Sequence, residues 1–173
     1  MELQEAIKGR RSIRNFKKQN VPEETITQLI EAATYAPSAG NIQPWQFIIV
    51  RNPAVKKKLA ESALNQNHVK DAPVVIVVCA NEKHSSMGYG TRGRTLYCLQ
   101  DTAAATQNIL LTAHSLGLGT CWIGTFNEDE AKEALNVPEG IRPVAMIPVG
   151  YPDENPMQRG RKLLSQITHY DGF

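Results

Sequence analysis

Pro37-Ser38-Ala39-Gly40-Asn41-Ile42-Gln43-Pro44-Trp45-Gln46-Phe47 is the stretch on which the fold turns. Its first eight residues are closed by proline at both ends and rich in turn formers between, which predicts an ordered loop. The small residues let backbone approach a flat ring, and the Asn and Gln amides can donate and accept at such a ring's polar edge. Directly after it, Trp45 to Val50 reads as a strand. Directly before it, Ile26, Leu29, Ile30 and Ala33 recur at helical spacing. Pro22 suits the first turn of that helix, Glu23 and Glu24 suit its positive end, and Pro37 stops it.

Toward the N-terminus, Leu3, Ala6 and Ile7 predict a short helix ending near Gly9. It hands over to Arg10-Arg11-Ser12-Ile13-Arg14-Asn15-Phe16, where guanidinium forks and a hydroxyl could grip a phosphate or simply form a solvated basic turn. Lys8, Arg10, Arg11, Arg14, Lys17 and Lys18 crowd this end against only Glu2 and Glu5, and Arg159, Arg161 and Lys162 crowd a segment near the other. The net charge is only +2, from 19 Lys+Arg and 17 Asp+Glu, too little to argue for nucleic acid or an anionic membrane as partner. Two local clusters in a near-neutral chain could instead converge on one anion.

Toward the C-terminus, Val55, Leu59, Ala60, Ala63 and Leu64 mark an amphipathic helix, and Val74 to Cys79 a central, fully apolar strand. Asn81 to Arg94 shows no periodicity and is expected to be a long loop. From Thr95 to about Leu116 the pattern is helical, with Ala103-Ala104-Ala105 allowing close helix approach, until Gly117 and Gly119 end it. Thr120 to Ile123 is expected as a short strand closed by Gly124. Asn127 and Glu130 resemble a capping box for a helix running to about Asn136. Val144 to Val149 reads as a further strand in which Pro148 limits pairing on at least one side. The last segment, Tyr151 to Phe173, has little helical pattern and ends in apolar residues that need a surface to lie on.

The 173 residues are one domain's worth of chain, and an apolar fraction of 42% with 21% charged residues excludes a disordered or low-complexity protein. No internal repeat is visible. Gly88-Tyr89-Gly90-Thr91-Arg92-Gly93 matches the dinucleotide pattern G-x-G-x-x-G in letters only. Asn81 to Met87 separate it from the strand, and no acid lies between Asp101 and Glu128, so a flexible loop is expected there. His68, His84, His114 and His169 lack metal-ligand spacing, and no serine sits in a nucleophile elbow. Cys79, Cys98 and Cys121 are odd in number and widely spaced, which fits a reducing cytoplasm better than a disulfide framework. No signal-like or membrane-spanning apolar stretch is visible.

Taken together, Arg10 to Phe16 and Pro37 to Phe47 resemble the flavin-binding signature of the nitroreductase family. Leu116-Gly117-Leu118-Gly119-Thr120-Cys121-Trp122-Ile123-Gly124, and the ending Arg161-Lys162-Leu163-Leu164 with His169-Tyr170, resemble that family's later blocks in the same order. The resemblance implies an α+β fold over residues 1–173, with a central, mostly antiparallel sheet flanked by helices and a C-terminal tail wrapping the partner subunit. It implies a homodimer holding FMN at its interface and passing electrons from NADH or NADPH, as a transient donor, to a nitroaromatic, quinone, flavin or related small acceptor by a ping-pong route.

By the same resemblance, Arg10, Arg11, Ser12 and Arg14 match positions that hold the phosphate and ribityl chain, and Arg159 and Arg161 match late basic positions that reach the phosphate. Pro37, Ser38, Ala39 and Asn41 match the loop laid on the isoalloxazine by the second subunit, and Ile123 and Gly124 match backbone near flavin N5. Asn65, Gln66 or Asn67 could supply an amide near the pyrimidine edge. The cofactor carries the redox chemistry, so no catalytic side chain and no metal are expected. A flavin-storing or redox-sensing protein without turnover would use the same residues, and the family also includes reductive dehalogenases and flavin-cleaving relatives.

Overall fold

The computed structural model describes residues 1–173. Its helices are α1 (Leu3–Gly9), α2 (Glu23–Thr34), α3 (Pro53–Ser62), α4 (Asn67–Asp71), α5 (Glu82–Arg92), α6 (Cys98–Ser115) and α7 (Glu128–Leu135). The strands are β1 (Trp45–Val50), β2 (Val74–Asn81), β3 (Gly119–Thr120) and β4 (Ile141–Gly150). They form one sheet in the order β1-β2-β4-β3, with every pair antiparallel. The fold is α+β, as the resemblance implied. No helix is long and apolar enough to cross a membrane.

β2 reads as a continuous apolar run because both its faces are covered. Val74, Ile76 and Val78 join Ala145, Ile147 and Val149 of β4 under α2 and α6, while Val75, Val77 and Cys79 join Met146 beneath α3, α4 and α7. Side chains alternate across a strand, so each face of the sheet takes every second residue into its own core. Asn52 and Asn127 start α3 and α7 by accepting backbone N–H groups, Asn52 from Ala54 and Val55, Asn127 from Asp129 and Glu130. Asn136 ends α7 in the left-handed conformation.

The two prolines of β4 sit where the ladder can spare a donor. Pro143 pairs with Cys79 at a bulge, the register slipping between Val78 and Cys79. Met146 exchanges both backbone hydrogen bonds with Ile123, so Pro148, two residues on, turns its donor-less nitrogen toward β3. β3 is accordingly only Gly119–Thr120, and the expected strand to Ile123 survives as a single bridge between Ile123 and Met146. β4 itself begins at Ile141, three residues before the expected start.

In place of the loop expected from Asn81 to Arg94, Asn81 ends β2, Glu82–Arg92 forms the helix α5 and Gly93 opens a π-helical turn. The Asn81 side chain caps α5 through the His84 N–H, and the Ser85 hydroxyl donates to the Gly93 carbonyl at 2.9 Å. α5 is held by polar and glycine contacts in place of an apolar stripe, so it leaves no helical period to read. It kinks at Tyr89 and Gly90, the latter at φ +54° and ψ −139°, where only glycine is at ease. The G-x-G-x-x-G stretch therefore lies in this kinked helix and the π-helical turn Gly93–Tyr97 that follows. That turn also takes the first residues of the helix expected from Thr95, leaving α6 to begin at Cys98.

Candidate active site

Ser12 to Lys17 is drawn into the body as an extended edge. The Ile13 N–H donates to the Thr120 carbonyl at 2.8 Å, Lys17 N–H to Tyr151, and Asp153 N–H back to Asn15. Gly119 makes this approach feasible, since a Cβ there would lie 2.8 Å from Ile13 Cβ. Glu154 closes the arrangement by accepting from the backbone N–H groups of Arg14 and Asn15 and from Asn15 Nδ2. The Arg14 N–H bond first, then Asn15, hold the Glu154 carboxyl below its ordinary value.

This clamp carries the chain's end toward its beginning. Arg10, Arg11, Ser12, Arg14, Arg159 and Arg161 line one cavity of about 320 Å³, together with Pro156, Met157 and Gln158. Their guanidinium groups divide into two kinds. Arg11 donates to the carbonyls of Lys8, Gly9 and Arg10 and so caps α1, and Arg161 donates to its own neighbours Arg159 and Gly160. Arg10, Arg14 and Arg159 have no side-chain acceptor or carboxylate partner in the chain.

Beside the cavity, the Ser12 hydroxyl meets Cys121, whose thiol burial pushes up against the pull of Arg14. All three cysteines are free and buried, and burial pushes Cys79 up to about 12. Burial and a raised thiol both disfavour the nucleophilic thiolate at these positions. α4 places His68 near Arg14, and burial, then the Arg14 charge, hold its imidazole below the ordinary value. Gln66, at the start of α4, brings Nε2 to 3.5 Å from the Thr125 carbonyl, and Asn67 is exposed beside it. Ile123 is buried against Met146 while Gly124 is exposed. No cluster of His, Cys, Asp or Glu could hold a metal ion.

The loop from Pro37 lies apart: Pro37, Ser38, Ala39 and Asn41 do not line the basic cavity. It forms a 3-10 turn, Ala39–Asn41, with Gly40, Asn41 and Gln43 all at φ between +53° and +55°. The Ser38 hydroxyl oxygen accepts from the Gln43 N–H at 3.0 Å. α6 reaches it through Asp101, whose Oδ1 accepts from the Ala39 N–H at 3.2 Å. α5 reaches it through Tyr89, whose hydroxyl lies where a Cβ on Gly40 would point, and through Gly88, which fits under Ile42.

Sequence reasoning missed Glu154, Asp101 and His68. Asp101 left one signal, as the only acid on the buried face of α6 among Cys98, Thr102 and Ala105. Glu154 left little, because its partners lie about 140 residues away in the chain.

The nitroreductase family model matches residues 7–71 and 62–151. A protein of Methanothermobacter thermautotrophicus, provisionally named NADH dehydrogenase/NAD(P)H nitroreductase, is 42% identical over 163 residues, covering 92% of this chain and 82% of its own. The FMN reductase (NADPH) of Bacillus subtilis is 34% identical over 161 residues, 86% of this chain and 65% of that protein. Among solved structures, the NADPH:FMN oxidoreductase of Vibrio harveyi complexed with NAD+ superposes with a TM-score of 0.91 at 27% identity, covering 99% of this chain and 77% of that one. The antiparallel sheet, the ordered proline-bounded loop and a family match over most of its length agree: this chain belongs to the nitroreductase family.

Proposed function

We propose that this chain works as a homodimeric, FMN-dependent NAD(P)H oxidoreductase whose cofactor phosphate sits in the arginine-lined cavity and whose flavin ring meets the Pro37–Asn41 loop of the partner subunit. The observation that carries this reading is the meeting of Arg10, Arg14 and Arg159, none with an acceptor of its own, around one cavity that Ser12 also lines. A dianionic phosphate matches that donor set in charge and in hydrogen-bonding capacity. FMN, when bound, supplies the hydride chemistry.

The protein's share is binding, orientation and access. Arg10, Arg14, Arg159 and Arg161 neutralise the phosphate, with Arg11 stiffening the turn beneath it by capping α1. Ile123, fixed to Met146, presents the backbone of Gly124 on the ring side, and Gln66 and Asn67 stand where an amide could meet the pyrimidine edge. Within one chain the cavity and the loop do not meet, so pairing of two chains completes the site. Exposed Met157, Leu163, Leu164, Ile167, Tyr170 and Phe173 give the tail the apolar surface to lie on a partner. The chain carries no dinucleotide fingerprint, so donor and acceptor would visit one open face in turn, the ping-pong order. The free thiols suit a reducing cytoplasm.

Chromatography of flavin released on denaturation, followed by anaerobic mixing of the holoprotein with NADH or NADPH, tests this. FMN release, bleaching of the flavin band by a nicotinamide donor and parallel double-reciprocal plots are expected. Protein that takes no FMN at micromolar concentration would refute the reading.

A further inference from the structure

α6 buries Cys98, Asp101, Thr102, Ala105, Thr106, Ile109, Leu110 and Ala113 along one face. Asp101 is the only acid among them and is 7% exposed. One of its oxygens accepts the Ala39 N–H, and the other, Oδ2, is buried with no partner. An acid here costs desolvation that an apolar residue would not. The contact it makes is singular. Between Pro37 and Gln43 the other hydrogen bonds stay inside the segment: Asn41 N–H to the Ser38 carbonyl, Ile42 N–H to the Ala39 carbonyl, Gln43 N–H to the Ser38 hydroxyl, and Gln43 Nε2 to Asn41. Those bonds shape the turn but do not place it. Placement comes from Asp101 and from the packing of Tyr89 on Gly40 and Gly88 on Ile42.

We infer that Asp101 is a positioning residue that acts through the Ala39 N–H to hold the 37–43 turn in the pose the partner subunit's cofactor requires. The inference rests on the proposed function, which assigns that turn to the flavin ring. Burial pushes the Asp101 carboxyl above its ordinary value, while the hydrogen bond from the Ala39 N–H pulls the other way. An asparagine would keep an accepting oxygen for the Ala39 N–H, whereas an alanine would leave that N–H without its acceptor.

The test uses full-length protein and FMN, comparing wild type with Asp101→Ala, Asp101→Asn and Ala39→Pro. The proline variant removes the donor instead of the acceptor. Ser38 before it already lies at φ −142°, ψ 153°, which a following proline tolerates. Asp101→Ala and Ala39→Pro should each weaken FMN binding at least tenfold and alter the shape of the bound flavin's absorption band, with Asp101→Asn returning both to within about twofold of wild type. The double variant Asp101→Ala/Ala39→Pro should be no worse than either single one. Wild-type affinity and band shape in Asp101→Ala overturn the inference, even if its thermal midpoint falls. Should that variant not fold, wild-type flavin properties in Ala39→Pro overturn it equally. Wild-type protein that binds no FMN overturns the functional reading and this inference together.

Discussion

In the basic cavity the backbone is tied down and the charged side chains are left free, whereas in the 37–43 loop the ties run through the turn itself. Ser12 to Lys17 is stitched to Thr120, Tyr151 and Glu154, yet Arg10, Arg14 and Arg159 face open space. The loop instead holds three residues at positive φ and locks them with Ser38, Asp101 and Tyr89. The first region is built to attract an anion. The second is built to hold a shape. Each lacks what the other has, and the proposed site shared between two copies would bring the two together.

Removing the tail bears hardest on that comparison. Truncation after Asn155 keeps the Glu154 clamp but deletes Arg159, Arg161 and the exposed apolar tail. Affinity for FMN should fall by upward of roughly 100-fold, since two charge-assisted contacts are lost, and light scattering should show monomer at about 17 kDa, reckoned from a typical residue mass. A truncated dimer that still binds FMN at wild-type affinity would show that the cavity is complete without the tail. Arg10→Ala comes next. It deletes one free guanidinium without touching a backbone tie and should cost about 1.5 to 3 kcal/mol of binding, read by flavin titration as roughly a 10- to 150-fold weaker Kd. The thermal midpoint of the flavin-free protein should barely move.

Gly40→Ala probes the shape-holding half. At φ +55°, with the new Cβ 2.6 Å from the Tyr89 hydroxyl, it should cost about 1 to 2 kcal/mol and lower the calorimetric Tm by about 2 to 8 °C. The smallest effect is expected at Glu154. Its carboxyl is held below the ordinary 4.5 by the Arg14 N–H, so the clamp adds stability above that pH and loses it as the pH falls through the lowered value. Denaturant titrations from pH 7 to 3 should show wild type and Glu154→Gln differing at neutral pH and converging in acid. A constant gap down to pH 3 would mean that the clamp does not depend on the charge.

What could be read in the residue order is what local periodicity and caps control. β1, β2, α2, α3 and α7 fell close to their expected places because alternation, helical spacing, Asn52, Asn127 and the bracketing prolines act within a few residues. The two basic clusters and the ordered loop were legible for the same reason. α5 was not, because its polar, glycine-containing stretch is helical only through Ser85, Gly93 and the seat of Tyr89 on Gly40.

By itself, then, the residue order determined most of the helices and strands, an arginine-rich N-terminal turn and a loop shaped by proline and glycine, while the antiparallel α+β arrangement was implied by the family resemblance. Only the tertiary structure decided that Glu154 would fasten that turn from the far end of the chain, that Pro148 would cut β3 short, and that Asp101 would reach the loop from α6. The reason is physical: periods and caps are satisfied between neighbours along the chain. A carboxylate finds a backbone N–H about 140 residues away only after the sheet has brought both ends to the same edge.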